Sequence, residues 1–99
     1  MALMQINVLP LGNSSTSLGD FIAEIIARLE SEGVKYKLTD MGTVLEGEVG
    51  RLLELAAIVH EVPFRRGEER VVTQIVIDDR RDRKVMIGDK VSSVKQRLE

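Results

Sequence analysis

The sequence predicts an α+β sandwich in which two helices cover one face of a four-stranded antiparallel sheet, and three observations predict it. Two runs of alternating apolar and polar residues flank Asp40-Met41-Gly42, the signature of antiparallel strands joined by a short glycine-containing turn. On either side of that hairpin, residues 18–32 and 51–64 place apolar side chains at i, i+3 and i+4, the spacing of a helix with one buried stripe. Residues 3–9 and 70–79 alternate with a period of two, as strands do.

In chain order, residues 3–9 form the first strand, with Met4, Ile6 and Val8 pointing one way and Leu3, Gln5, Asn7 and Leu9 the other. Pro10 has no N–H for a ladder and ends it. Residues 12–17, Gly-Asn-Ser-Ser-Thr-Ser, make a turn-rich loop whose side chains can bond backbone amides. Ser17 is the expected N-cap of the first helix, with Asp20 as a shortened capping-box partner. Leu18, Phe21, Ile22, Ile25, Ile26 and Leu29 form its stripe, and Gly33 supplies a left-handed C-cap. The hairpin then spans residues 34–49, with Thr43 at the mouth of its second strand and Glu46 and Glu48 beyond.

Gly50 introduces the second helix, which carries Leu52, Leu55, Ala56, Val59 and Val62 on one face and Pro63 near its end. The strand at 70–79 is apolar on both sides, a pattern that predicts cover on both. Val85-Met86-Ile87 is expected to add a short fifth strand. Asp89 caps a last helix whose Val91, Val94 and Leu98 make a narrow stripe. The order β-α-β-β-α-β is the split arrangement of ferredoxin-like domains, here with a C-terminal short strand and helix added.

A chain of 99 residues makes one domain, residues 1–99, and buries about 65% of its unfolded surface, enough for a core without staples. Phe21, Phe64 and Tyr36 are its only aromatic residues, so that core must be aliphatic. Without cysteine there is no disulfide framework, thiolate metal site or cysteine nucleophile. A net charge of -2 offers no basic field for nucleic acid. No apolar run is long enough to span a bilayer, and no signal peptide is visible.

The residues give catalysis no positive support. His60 is the single histidine, with no second histidine or cysteine to share a metal, and reads as a packed helix residue. No Ser-His-Asp order or glycine-flanked nucleophile occurs, and the strands lack the stacked aromatics of an RNA-recognition module. A non-enzymatic binding role, with no metal and no cofactor, is what remains. The helix-free face of the sheet would hold Leu3, Leu9, Val44, Val72 and Val76 among Gln5, Asn7, Thr39, Glu46 and Gln74. Such a patch marks an interface, and closed symmetry makes the expected homo-oligomer a dimer or a dimer of dimers. Its polar groups pair with each other across an axis or with a small polar ligand. Thr43 and Glu46 offer a hydroxyl and a carboxylate, and with Met41 and Leu38 as apolar walls they suit an amino-substituted heteroaromatic or a cation.

Several segments taken together carry a resemblance. Val8-Leu-Pro-Leu-Gly12, Tyr36-Lys-Leu-Thr-Asp-Met-Gly-Thr43 with Glu46-Gly47, Arg70-Val-Val-Thr73 and Ile77-Asp-Asp-Arg-Arg-Asp82 resemble the small thiamine-binding protein family, long catalogued as a domain of unknown function. The similarity runs over nearly the whole chain. It implies a ferredoxin-like sandwich, a cytoplasmic homotetramer built from dimers, and binding of thiamine or its hydroxymethylpyrimidine moiety without turnover. It places the ligand among Asn7, Ser17, Tyr36, Met41, Thr43 and Glu46. There Glu46 accepts from the aminopyrimidine, Thr43 and Asn7 complete its hydrogen bonds, and Met41 and Tyr36 supply walls. Asp78 and Arg80 are expected to form a structural ion pair. Asn7 departs from the smaller hydroxyl residue that the resemblance leads one to expect. Two other readings stay open: a structural or regulatory homo-oligomer with no small ligand, and an enzyme of pyrimidine salvage.

Overall fold

The structure, a computed structural model, describes residues 1–12 and 17–99. Its sheet contains β1 (Ala2–Pro10), β2 (Lys35–Thr39), β3 (Gly42–Gly47) and β4 (Val71–Asp79) in the order β2-β3-β1-β4, every neighbouring pair antiparallel. The helices are α1 (Leu18–Ser31), α2 (Val49–His60) and α3 (Asp89–Arg97). This is the ferredoxin-like arrangement that the alternation of strands and helices predicts.

Register decides what each face carries. Met4 lies opposite Leu45 and Ile77, and Ile6 opposite Thr43 and Ile75. Directly paired residues project to the same side, so these form the helix-covered face. Met4, Ile6, Leu45, Leu29, Leu52, Leu55 and Val59 are buried there in one aliphatic cluster, each such side chain contributing about 1.5–3 kcal/mol of burial. The other face carries Leu3, Gln5, Asn7, Val44, Glu46, Val72, Gln74 and Val76, through the pairs Leu3–Glu46, Gln5–Val44, Gln5–Val76 and Asn7–Gln74.

Local signals set the element ends. Ser17 Oγ accepts from the Asp20 N–H at 3.3 Å, which satisfies one of the free donors of the first turn. Gly33 takes φ 72, while its own N–H bonds the Glu30 carbonyl and that of Val34 the Leu29 carbonyl, closing α1 with the left-handed residue that glycine tolerates best. Residues 13–16 of the predicted loop lie outside the described residues. Helix α2 stops at His60, shorter than the predicted 51–64, and Phe64–Arg66 form a separate 3-10 turn after Pro63. The proline ring has no N–H to continue the ladder of bonds.

Two expectations are corrected. First, β4 is not covered on both sides: it is an edge strand, with Ile75 40% and Val76 67% exposed. Apolar residues on both sides read alike for a central strand and for an edge whose faces are left open. The two edges of the sheet also differ, since β2 has five residues and carries Lys35 and Lys37, whereas β4 has nine. Second, residues 85–87 form no strand. Side chains take their amides: the Ile87 N–H donates to the Glu46 carboxylate at 2.7 Å and the Met86 N–H to the Asp89 carboxylate at 3.0 Å. Val85 is nonetheless buried, and the Lys90 ammonium pairs with Asp78. The predicted last helix does form, with Val91, Val94 and Leu98 exposed. Arg80 binds Asp82, not Asp78, through two bonds of 2.6 and 2.9 Å. That guanidinium holds the Asp82 carboxyl down to about 2.

Candidate ligand cleft

Between the hairpin tip and the first turns of α1, the sheet and the helix enclose a cleft of about 320 Å³. Its walls come from Ile6 and Val8 of β1, Leu18, Ile22 and Ile25 of α1, and Leu38 and Met41 of the hairpin. Polar groups are few: Asn7, Thr39, Asp40 and Thr43. Apolar walls with a small number of placed polar groups are the usual make-up of a small-molecule site. Thr43 is 6% exposed, whereas Leu18, Leu38 and Met41 are 47, 51 and 80% exposed. Thr43 is therefore sunk, whereas Thr39, Asp40 and the apolar rim are open.

The hairpin tip is held from within. The Thr39 hydroxyl accepts from the Met41 N–H at 3.2 Å and donates to the Gly42 carbonyl at 2.7 Å, a side-chain substitute for the backbone bond of a turn. The Gln5 amide donates to the Met41 carbonyl at 3.3 Å. Gly42 has φ 148, and a Cβ there would stand 3.0 Å from the side-chain amides of both Asn7 and Gln5. The tip can lie this close to β1 because residue 42 has no side chain.

The six residues expected to converge divide into groups. Asn7, Met41 and Thr43 line the cleft together. Ser17 caps α1 next to the lining residue Leu18 and is itself not among the described lining residues. Tyr36 and Glu46 are not among the described lining residues. The Tyr36 hydroxyl donates to the Glu30 carboxylate, and that carboxylate, together with burial, pushes the phenol above its ordinary range. Glu46 projects from the helix-free face, where its side chain is 9% exposed, accepts from Ile87 and lies 3.6 Å from the Lys35 ammonium. The physical reason is parity: along β3, residues 43 and 46 point to opposite sides of the sheet. Leu38, expected with Met41 as an apolar wall, does line the cleft, whereas Leu18, Ile22 and Asp40 were not singled out from sequence. The two apolar ones belong to an ordinary helix stripe, and an aspartate in a turn is commonplace, so no signal distinguished them.

Glu46 instead fastens the C-terminal segment. Glu46→Ala should raise the exchange rate of the Ile87 amide about tenfold or more, since a bond to a charged acceptor contributes about 1.5–3 kcal/mol. Hydrogen exchange followed by mass spectrometry reads this directly, and unchanged protection of residues 85–90 would count against the role. His60 Nδ1 lies 2.6 Å from the Thr73 hydroxyl, with its ring edge-on to Phe64; it is packed into the fold. Among the described residues, no cluster of three metal-ligating side chains occurs and no helix is long and apolar enough to cross a membrane.

Fold and cleft together define a small α+β protein with a ready-made apolar pocket on its sheet. The family model described as Thiamine-binding protein matches residues 4–95, and the chain belongs to that family. Over its full length it is 39% identical to the UPF0045 protein YqgV of Bacillus subtilis, covering 99% of that protein. Among solved structures it is similar to a hypothetical protein of Methanocaldococcus jannaschii, with a TM-score of 0.82, 25% identity and 96% of each chain covered. A second structural relative, from Thermotoga maritima, is assigned by name to thiamine biosynthesis or salvage. Its TM-score is 0.77 at 25% identity, with 94% of this chain and 97% of that one covered.

Proposed function

We propose that this protein binds thiamine or its hydroxymethylpyrimidine moiety without converting it, as a cytoplasmic homo-oligomer serving as carrier or sensor. The observation that carries the reading is the cleft, where Thr43 lies buried beneath an open apolar rim of Leu18, Leu38 and Met41. The name of the family and that of the Thermotoga maritima relative support the choice of ligand. In this reading the Thr43 hydroxyl bonds the heteroaromatic ring and Met41 packs on its face. Asn7, whose amide lies beside that of Gln5 on the helix-free face, supports the hairpin tip from behind, and Ser17 caps the helix next to Leu18. Tyr36 and Glu46 act at a distance, by tying β2 to α1 and by holding the C-terminal segment.

Calorimetry with thiamine and with hydroxymethylpyrimidine tests the reading, using wild-type protein and Thr43→Val. Valine keeps the shape and removes the hydroxyl, so affinity should fall about tenfold, equivalent to one hydrogen bond of ~1.4 kcal/mol. Absence of heat with both compounds would sink the proposal.

The oligomer in this reading rests on the helix-free face and the β4 edge. Leu9, Val72 and Val76 are 36, 37 and 67% exposed there, and an open apolar strand edge is a template for pairing with a second chain. Val76→Asp should shift the assembly toward monomer in light scattering coupled to gel filtration, because each interface would then bury an extra unpaired carboxylate. An unaltered mass would remove this face from the interface.

A further inference from the structure

We infer that the cleft accepts a cationic or neutral heteroaromatic compound and turns away the phosphate esters of the same compound. This rests on the function proposed above and adds what that function leaves open, the charge that the ligand must carry. Asp40 is the one charged residue among the described residues lining the cleft, and no lysine, arginine or histidine is among them. The sequence of residues 13–16, Asn, Ser, Ser and Thr, contains no lysine, arginine or histidine.

One feature opposes this. The start of α1 adjoins the cleft at Leu18, and a helix N-terminus carries roughly half a positive charge. Two facts outweigh it. Asp20 sits in the first turn of α1 and Ser17 already occupies the Asp20 N–H, so the helix end is partly satisfied within the chain. Asp40 adds a full negative charge at the hairpin tip, with no salt-bridge partner among the described residues. A phosphate group of charge near −2 at pH 7 would enter a site whose fixed charges sum to an unfavourable value, without the guanidinium or ammonium that phosphate sites supply. A cationic ring gains from the same arrangement, since a cleft lined by one sign of charge raises the local concentration of the opposite sign.

Calorimetry with thiamine, thiamine monophosphate and thiamine diphosphate tests this, at ~0.05 M and ~0.5 M salt, for wild-type protein and Asp40→Lys. The monophosphate should bind about tenfold or more weakly than thiamine, and the diphosphate more weakly still. The gap should narrow at the higher salt, where exposed charges are screened. In Asp40→Lys it should narrow about tenfold further, as the esters gain and thiamine loses. Esters that bind within about threefold of thiamine would overturn the inference and leave the proposed function standing. A gap indifferent to both salt and Asp40→Lys would also overturn it, because shape and not charge would then be selecting. Failure of all three compounds to bind would overturn the proposed function and this inference with it.

Discussion

Leu45→Ala should lower the stability of the domain by about 2–5 kcal/mol. Leu45 is fully buried at the middle of β3, directly opposite Met4 of β1 and Tyr36 of β2. Truncation removes three carbons from a buried aliphatic cluster, so both the transfer energy and the cavity count against the fold. In a domain of this length each kcal/mol moves the melting temperature by about 4–8 °C. A fall of about 10 °C or more in a thermal melt is therefore expected, and a loss below about 3 °C would mean that the sheet does not pack on the helices as described.

The second large effect comes from a change of one methyl group. Gly42→Ala should cost about 1–3 kcal/mol and should weaken ligand binding as well. Two penalties combine: the positive φ of 148 and the approach of the new Cβ to 3.0 Å from the amides of Asn7 and Gln5. The amides must give by a few tenths of an ångström, which lengthens the 3.3 Å Gln5 bond to the Met41 carbonyl and shifts Asn7 and the hairpin tip. Gly33→Ala is the control. Gly33 also has a positive φ, 72, but nothing stands within 4 Å of its added Cβ. It should show only the backbone cost of about 1–2 kcal/mol and leave the affinity for thiamine as it was. Denaturant melts and calorimetry on the two variants separate strain from collision. Equal effects on binding would show that the tip of the hairpin has no part in the cleft.

Much of this architecture can be read from residue order because it depends on local rules. A period of two sorted Met4, Ile6, Leu45 and Ile77 onto one face of the sheet and Gln5, Val44, Glu46 and Val76 onto the other, and the register agrees. Ser17 and Gly33 announced the ends of α1 for reasons confined to one turn of helix. Legibility ends where long-range partners decide. The pattern of β4 does not state whether a neighbour covers it. Val85-Met86-Ile87 has strand-like composition, yet the carboxylates of Glu46 and Asp89 capture two of its amides, and Glu46 lies 41 residues away from Ile87. The cleft was half legible for the same reason. Parity alone separates Thr43 from Glu46, but that Leu18 and Leu38 stand at a rim, not in a core, follows only from how the hairpin and α1 meet across the sheet.

The unequal borders of the sheet set a limit on how copies of this chain could join. A nine-residue apolar margin at β4 invites a twin, whereas the short margin at β2, with Lys35 and Lys37 along it, repels one of its own kind. Were two molecules to meet along β4 about a two-fold axis, the inviting margins of both would be consumed and only the lysine-bearing ones would face outward. Strand-to-strand growth would then stop at a pair, and any larger closed assembly would have to stack such pairs by their faces, because a contact that uses the same surface on both partners cannot propagate into a fibre.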